Sequence, residues 1–204
     1  MDSKLTMSDL VNSVVRSCFF QLRQLRSVRH SLPVEARRSL IHCFISCRID
    51  YCNANLYGIS GILLRRLQTV LNAAARLVVD AGKRQHMTPI LKDLHCLPVK
   101  EQILYKIGIL KFQWMRGTGP DYLVEMFTRV SDVVGRAGLR SAVRGDFVIP
   151  RTNTATFGPR SFRVSGPTFW NKLPLDMRDQ NISYQQFKSK LKTLLFEHAY
   201  RALL

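Results

Sequence analysis

The residues from 60 to 82 carry the pattern that most constrains the fold of this chain. Apolar side chains recur there at spacings of three and four, which predicts a helix that buries one stripe of its surface. Ser60 or Gly61 is suited to cap the start of this helix, and Asp80-Ala81-Gly82 is suited to end it with a left-handed glycine. The predicted stripe consists of Leu63, Leu67, Val70, Leu71, Ala74, Leu77 and Val78.

The same periodicity predicts further helices on both sides of this one. The first runs from Ser8 to about His30, and a second is opened by residues 31–35, where a serine, a proline and a glutamate occupy favourable early positions. Others cover 90–95 and 99–114, and the last follows Ser183. The buried stripe of the first helix is predicted to be Leu10, Val14, Cys18, Leu22 and Leu25.

The C-terminal part of the chain has a different character. Residues 131–146 are rich in glycine and arginine and lack periodicity, which predicts a basic linker. Two short runs, 147–150 and 161–164, alternate like strands and predict a short β-hairpin. The sequence therefore predicts a mainly α protein: a helical body over 1–130, a linker over 131–146, and a small α+β unit over 147–204 that holds the hairpin and the last helix.

Charge indicates the class of partner. The 204 residues include 31 lysines and arginines against 14 acidic residues, a net charge of +17. A positive field of this size favours a polyanion, and RNA, DNA or an RNA–DNA hybrid is the commonest one. Tyr51, Tyr57, Phe157 and Trp170 could stack on bases, but core packing is the favoured role for each. The candidate phosphate-binding residues are Arg16, Arg23, Arg26, Arg65, Arg66, Arg76, Lys83, Arg84, Arg136, Arg140, Arg144, Arg151, Arg160 and Arg163.

Cysteine usage and hydropathy give weaker indications. The five cysteines form no small-scaffold pattern and suit reduced thiols, so we expect an intracellular protein, nuclear or cytoplasmic. His42, Cys43, Cys47 and Cys52 resemble a metal-binding cluster, but no second short-spaced pair completes a zinc site, so we predict core cysteines and no metal or cofactor. No apolar run approaches the length of a membrane span, and we expect no membrane partner.

Several segments in the right order resemble the C-terminal region of reverse transcriptases from non-LTR (LINE) retrotransposons of the chicken-repeat and Jockey type. They include Arg48-Ile-Asp-Tyr-Cys-Asn53, Asn72-Ala-Ala-Ala-Arg-Leu77, His86-Met-Thr-Pro89 and Trp170-Asn-Lys-Leu-Pro174. The family copies element RNA into DNA at a nicked target. The resemblance implies that this chain corresponds to the thumb and the region that follows the palm.

The resemblance does not carry the family's catalytic residues. The polymerase palm holds two metal ions with an aromatic-x-Asp-Asp turn, and this sequence contains no Asp-Asp pair. We therefore expect no enzymatic activity. The sequence leaves two functions open: a non-catalytic remnant that contacts RNA or DNA backbone with low sequence specificity, or a translated retroelement fragment or helical protein-interaction module with no nucleic-acid role. In the second case, the surface that faced the missing palm could mediate self-association.

Overall fold

The computed structural model describes residues 6–82, 84–118, 126–179 and 181–201, and these are mainly helical. Short 3₁₀ turns join several of the helices, and no β-strand occurs in the described ranges. The helices are α1 Ser8–Val28, α2 Val34–Ile41, α3 Cys47–Asp50, α4 Gly61–Val79, α5 Met87–Asp93, α6 Val99–Met115, α7 Arg140–Val143, α8 Phe162–Trp170 and α9 Tyr184–Arg201.

The chain divides into two compact units. The first comprises residues 1–102 with 196–204, and the second comprises 103–195. The boundaries thus fall inside α6 and inside α9, which differs from the division predicted from composition. Residues 131–146, predicted to be a linker, lie in the second unit and include α7 and a 3₁₀ turn, Val130–Asp132.

Helix α4 organises the first unit, as predicted. It packs against α1, α2 and α5, and every residue of its predicted stripe is buried. The Ser60 hydroxyl accepts a hydrogen bond from the backbone N–H of Leu63 at 3.4 Å, which confirms the predicted cap. The C-terminal prediction was wrong in detail, because the left-handed residue is Asp80 (φ 54°) and not Gly82. Aspartate tolerates this conformation, and its carboxylate here pairs with Arg29 at 3.3 Å.

Helix α1 lies beside α4 and runs in the same direction. Near the starts of the two helices Arg66 donates a hydrogen bond to Asn12, and just past their ends Arg29 pairs with Asp80. The predicted stripe of α1 was only partly right, since Leu10 is 46% exposed. Paired apolar residues at 10–11 and 14–15 allow two stripes, and contact with α4 selects the second. The buried residues of α1 are Val11, Val15, Cys18 and Leu22.

A helical run from 34 to 50 forms the third side of the first unit. It starts after Pro33, later than the predicted serine cap, and joins α2 to α3 through a π-helical turn, His42–Ser46. Its buried side chains are Ile41, Ile45 and Ile49. The prediction of core cysteines was therefore wrong at three positions, because the isoleucines occupy the buried face. Cys43, Cys47 and Cys52 are exposed, Cys18 is buried, and Cys96 is half-buried.

The second unit has an aromatic core between α6, α8 and α9. Phe187 of α9 stacks on Phe112 of α6, with ring centroids 4.3 Å apart, and on Trp170 of α8, at 5.8 Å. Gly108 lets α6 approach its neighbours closely, because a Cβ at this position would lie 2.7 Å from Leu191 and 2.9 Å from Phe169. The predicted burial of Phe169 and Trp170 is confirmed.

The predicted β-hairpin was wrong. Residues 162–170 form α8, and Phe147 makes a single antiparallel bridge, to Arg129. The Asn171 side chain accepts a hydrogen bond from the backbone N–H of Phe147 at 2.9 Å and donates one to its carbonyl at 2.8 Å. These two bonds satisfy the groups that a strand partner would have used, so the extended segment at 147 needs no second strand.

Candidate nucleic-acid interface

Six arginines lie on the surface of the neighbouring helices α1 and α4. Five of them are exposed and one is half-buried, and the two helices together contain a single acidic residue, Asp9. Guanidinium groups stay charged in proteins, so this surface carries a concentrated positive charge. We call it the arginine face. Its members are Arg16, Arg23 and Arg26 on α1 and Arg65, Arg66 and Arg76 on α4.

Helix geometry brings the α1 residues of this face together. At 100° per residue, Asn12, Arg16, Phe19 and Arg23 fall within about 60° of each other around the helix axis. Arg16 and Arg23 are separated by about two turns, roughly 10 Å along that axis. Because Arg66 of α4 donates to Asn12, this side of α1 is the side that adjoins α4.

Among the described residues, no member of the arginine face forms an ion pair with an acidic side chain. The partner of Arg66, Asn12, is a neutral side chain. Arg76 is more constrained, since its Nη2 donates to the carbonyl of Gln85 at 3.5 Å and its Nε is buried with no hydrogen-bond partner among the described residues. Arg76 therefore serves the packing of the first unit, and the exposed members are better placed to meet a ligand.

The remaining candidates lie outside α1 and α4. Arg84 is exposed in the loop after α4, and Lys83 lies outside the described residues. The others belong to the second unit, where Arg144 pairs with Asp146 at 2.8 Å and so has a compensated charge. Arg136, Arg140, Arg151 and Arg163 are exposed, and Arg160 is half-buried.

Sequence reasoning missed two aromatic residues on α1. Phe19 is 38% exposed and Phe20 is 56% exposed, and each lies three or four positions from Arg16 and Arg23. The signal was available, because neither phenylalanine fits the apolar stripe of α1. Among the aromatic candidates that were considered, Trp170 is buried as predicted, whereas Tyr51 is 79% exposed, contrary to the packing role favoured for it.

Neither a metal cluster nor a membrane-spanning helix occurs in the described part of the chain. No three His, Cys, Asp or Glu side chains converge there in a way that could hold a metal ion. In the same ranges no helix combines the length and the apolar character that a membrane crossing requires. His42 and Cys47 approach each other, with Nε2 and Sγ 3.9 Å apart, but no acid joins them.

Comparison with known proteins does not assign the chain to a family. No family model, curated protein sequence or solved structure matches the chain.

Proposed function

We propose that this chain is a non-catalytic nucleic-acid-binding protein that holds the phosphate backbone of RNA or DNA on the arginine face with low sequence specificity. The observation that carries the proposal is that two neighbouring parallel helices, α1 and α4, hold six arginines, five of them exposed, and a single acidic residue, Asp9. Such a surface contacts phosphates, which position a nucleic acid without reading its bases.

Two further observations support this function. The net charge of +17 adds a long-range attraction for polyanions. The resemblance to the region after the palm of LINE reverse transcriptases points the same way, since a polymerase thumb packs against the backbone of the template–primer. We further propose, on that resemblance, that the chain is a remnant of such an enzyme and acts inside the cell.

The test is equilibrium binding of the chain to labelled RNA, DNA and RNA–DNA hybrid, measured by fluorescence anisotropy. The variant carries Arg16→Gln, Arg23→Gln and Arg65→Gln, three exposed positions whose side chains form no hydrogen bond or ion pair with the described residues. Each lost phosphate contact lowers the affinity, so we expect the triple variant to bind at least on the order of tenfold more weakly to every nucleic acid.

A matched control separates the arginine face from net charge. Lys92→Gln, Lys100→Gln and Lys172→Gln remove the same three charges from exposed positions on α5, on α6 and after α8. We expect this control to retain most of the wild-type affinity. Equal losses in the two triple variants would mean that binding is generic, and no loss in the arginine variant would reject the face as the site.

A groove on the first unit favours a second candidate, self-association. The groove has a volume of about 660 Å³, and its walls include Leu10 and Val14 of α1 together with Ile49, Tyr51 and Leu56. Leu10 and Tyr51 are both well exposed, as expected of a surface that covers an apolar partner. Light scattering tests this candidate: a concentration-dependent dimer that Tyr51→Ser abolishes would support it, and a monodisperse monomer would count against it.

A further inference from the structure

A shallow, open cavity lies along one side of α1 and includes Arg16, a member of the arginine face. Its volume is about 540 Å³, and the described residues around it are polar apart from one phenylalanine. Phe20 exposes 56% of its surface at this position, although no described contact of the fold requires an aromatic ring there. The lining residues are Asp9, Asn12, Ser13, Arg16, Ser17 and Phe20.

The chemistry of this cavity suits a nucleobase better than a phosphate. An exposed aromatic ring offers a flat apolar surface on which a base can stack, and the surrounding amide and hydroxyl groups can form hydrogen bonds with its edge. The Asp9 carboxylate repels a phosphate, but it can accept a hydrogen bond from the amino group of a base. The side-chain oxygen of Asn12 accepts a hydrogen bond from Arg66, and its NH₂ group can donate to a ligand.

Positive charge flanks the ring on both sides. Arg16 precedes Phe20 by four positions and Arg23 follows it by three, so both guanidinium groups are its neighbours on the helix surface. A ring between two cations reproduces the arrangement by which proteins bind single strands: charge follows the backbone, and an aromatic side chain stacks on a base. A base that is paired within a duplex is not available to such a ring.

Resting on the function proposed above, we infer that Phe20 and the adjoining cavity take one unpaired base, so that the ligand is a single-stranded nucleic acid or a single-stranded segment of one. Stacking on an aromatic ring tolerates every base, so this contact adds affinity without sequence specificity. Arg16 and Arg23 hold the phosphates on either side of the stacked base.

The experiment measures binding of Phe20→Ala to a single-stranded oligonucleotide of about 12 nucleotides, the size range of such sites, and to the corresponding duplex. We expect the variant to lose affinity for the single strand on the order of tenfold and to bind the duplex as the wild type does. The dependence on salt should not change, because no ionic contact is removed. Phe20→Trp should retain the wild-type affinity, since tryptophan keeps the stacking surface.

Two controls isolate stacking from other effects. Phe44→Ala removes another exposed phenylalanine, 45% exposed, that does not line the cavity, and it should leave binding unchanged. An abasic strand keeps the phosphates and lacks the bases, so we expect wild type and Phe20→Ala to bind it equally and weakly. DNA and RNA versions of the strand show whether the sugar contributes.

The outcomes distinguish this inference from the function on which it rests. If the arginine variant weakens binding while Phe20→Ala does not, the backbone is bound but no base enters the cavity, and the inference is wrong. The same conclusion follows if the duplex binds more tightly than the single strand. If neither variant affects binding, or no nucleic acid binds, the proposed function itself fails.

Discussion

Replacing Lys111 with methionine should stabilise the second unit. The lysine side chain is fully buried, and its Nζ has no hydrogen-bond partner among the described residues. It lies over three aromatic rings, 3.8 Å from the centroid of Trp114, 3.7 Å from that of Phe127 and 3.3 Å from that of Phe147. Burial, and then the charge of Arg129, lower the pKa of Lys111 from 10.5 to about 6.

This shift sets the sign and the size of the effect. Between the folded and unfolded pKa values the unfolded chain binds one more proton at Lys111, so the free energy of unfolding rises with pH. The slope is about 1.4 kcal/mol per pH unit, which makes the cost of discharging the folded lysine at pH 7 about 5 kcal/mol. At pH 7 the folded lysine is therefore mostly neutral, and methionine avoids the cost of discharging it. We expect Lys111→Met to raise the free energy of unfolding by several kcal/mol, up to about 5 kcal/mol, at pH 7.

Urea denaturation between about pH 6.5 and 9 measures this directly, because the window lies between the folded and the unfolded pKa of Lys111. The advantage of the methionine variant should shrink as the pH rises, by about 1.4 kcal/mol per unit. Lys92→Met, at an exposed lysine of α5, is the matched control and should change neither the stability nor its slope appreciably. A methionine variant no more stable than the wild type, or an advantage that does not vary with pH, would refute the reasoning.

Three further substitutions and one control, Gly82→Ala, test the packing, each followed by chemical denaturation. Gly108→Ala should lower the free energy of unfolding by about 1–3 kcal/mol, because the new Cβ would lie within 3 Å of neighbouring atoms. At Gly82 no atom lies within 4 Å of an added Cβ, so Gly82→Ala should be neutral or slightly stabilising. Tyr200→Phe should lower the free energy of unfolding by about 1–2 kcal/mol, because it removes the 2.5 Å hydrogen bond that the tyrosine hydroxyl donates to the backbone carbonyl of Cys96. In the structure the buried Arg178 guanidinium lies 2.6 Å from the Asp146 carboxylate. Asp146→Ala leaves this guanidinium without its partner and should lower the free energy of unfolding by about 3–5 kcal/mol. Unchanged denaturation midpoints would show that these contacts do not contribute.

The helix α4 was predictable because a single stripe fits its sequence. Its apolar residues occupy one side, and a serine stands where the first turn needs an acceptor. In α1 the pattern was ambiguous, since Leu10 and Val11 are both apolar and only one can face the core. The choice depends on the partner helix, which periodicity within α1 cannot specify. The helix was therefore predicted correctly and its buried face only in part.

The hairpin prediction failed because a side chain distant in sequence, and not a second strand, forms hydrogen bonds with the backbone of Phe147. The segment at 147 is extended, as its composition indicates, but Asn171 supplies the hydrogen bonds that a second strand would have made. The residues assigned to that second strand form α8, in which Gly166 and Pro167 are buried within the helix. Neither the long-range bond nor the burial of those two residues is visible in the alternation of side chains.

The sequence predicted the charged residues of the candidate site, but not which of their helices lie next to each other. Sequence alone identified the arginines of α1 and α4, but it could not show that these two helices lie side by side, because residues 29–60 separate them along the chain. It also passed over Phe20, whose exposure depends on which stripe of α1 is buried. The three exposed cysteines were misassigned for a similar reason, since the isoleucines of 41–49 occupy the buried face instead.

The most direct measurement is the salt dependence of binding to a single-stranded oligonucleotide, for the wild type and for the variant Arg16→Gln, Arg23→Gln and Arg65→Gln. Each phosphate contact contributes about 0.7 to the slope of log affinity against log salt concentration. We expect a wild-type slope of several units and a decrease of roughly two in the variant, with no decrease in the lysine control. Identical slopes for the wild type and the arginine variant would contradict binding at the arginine face.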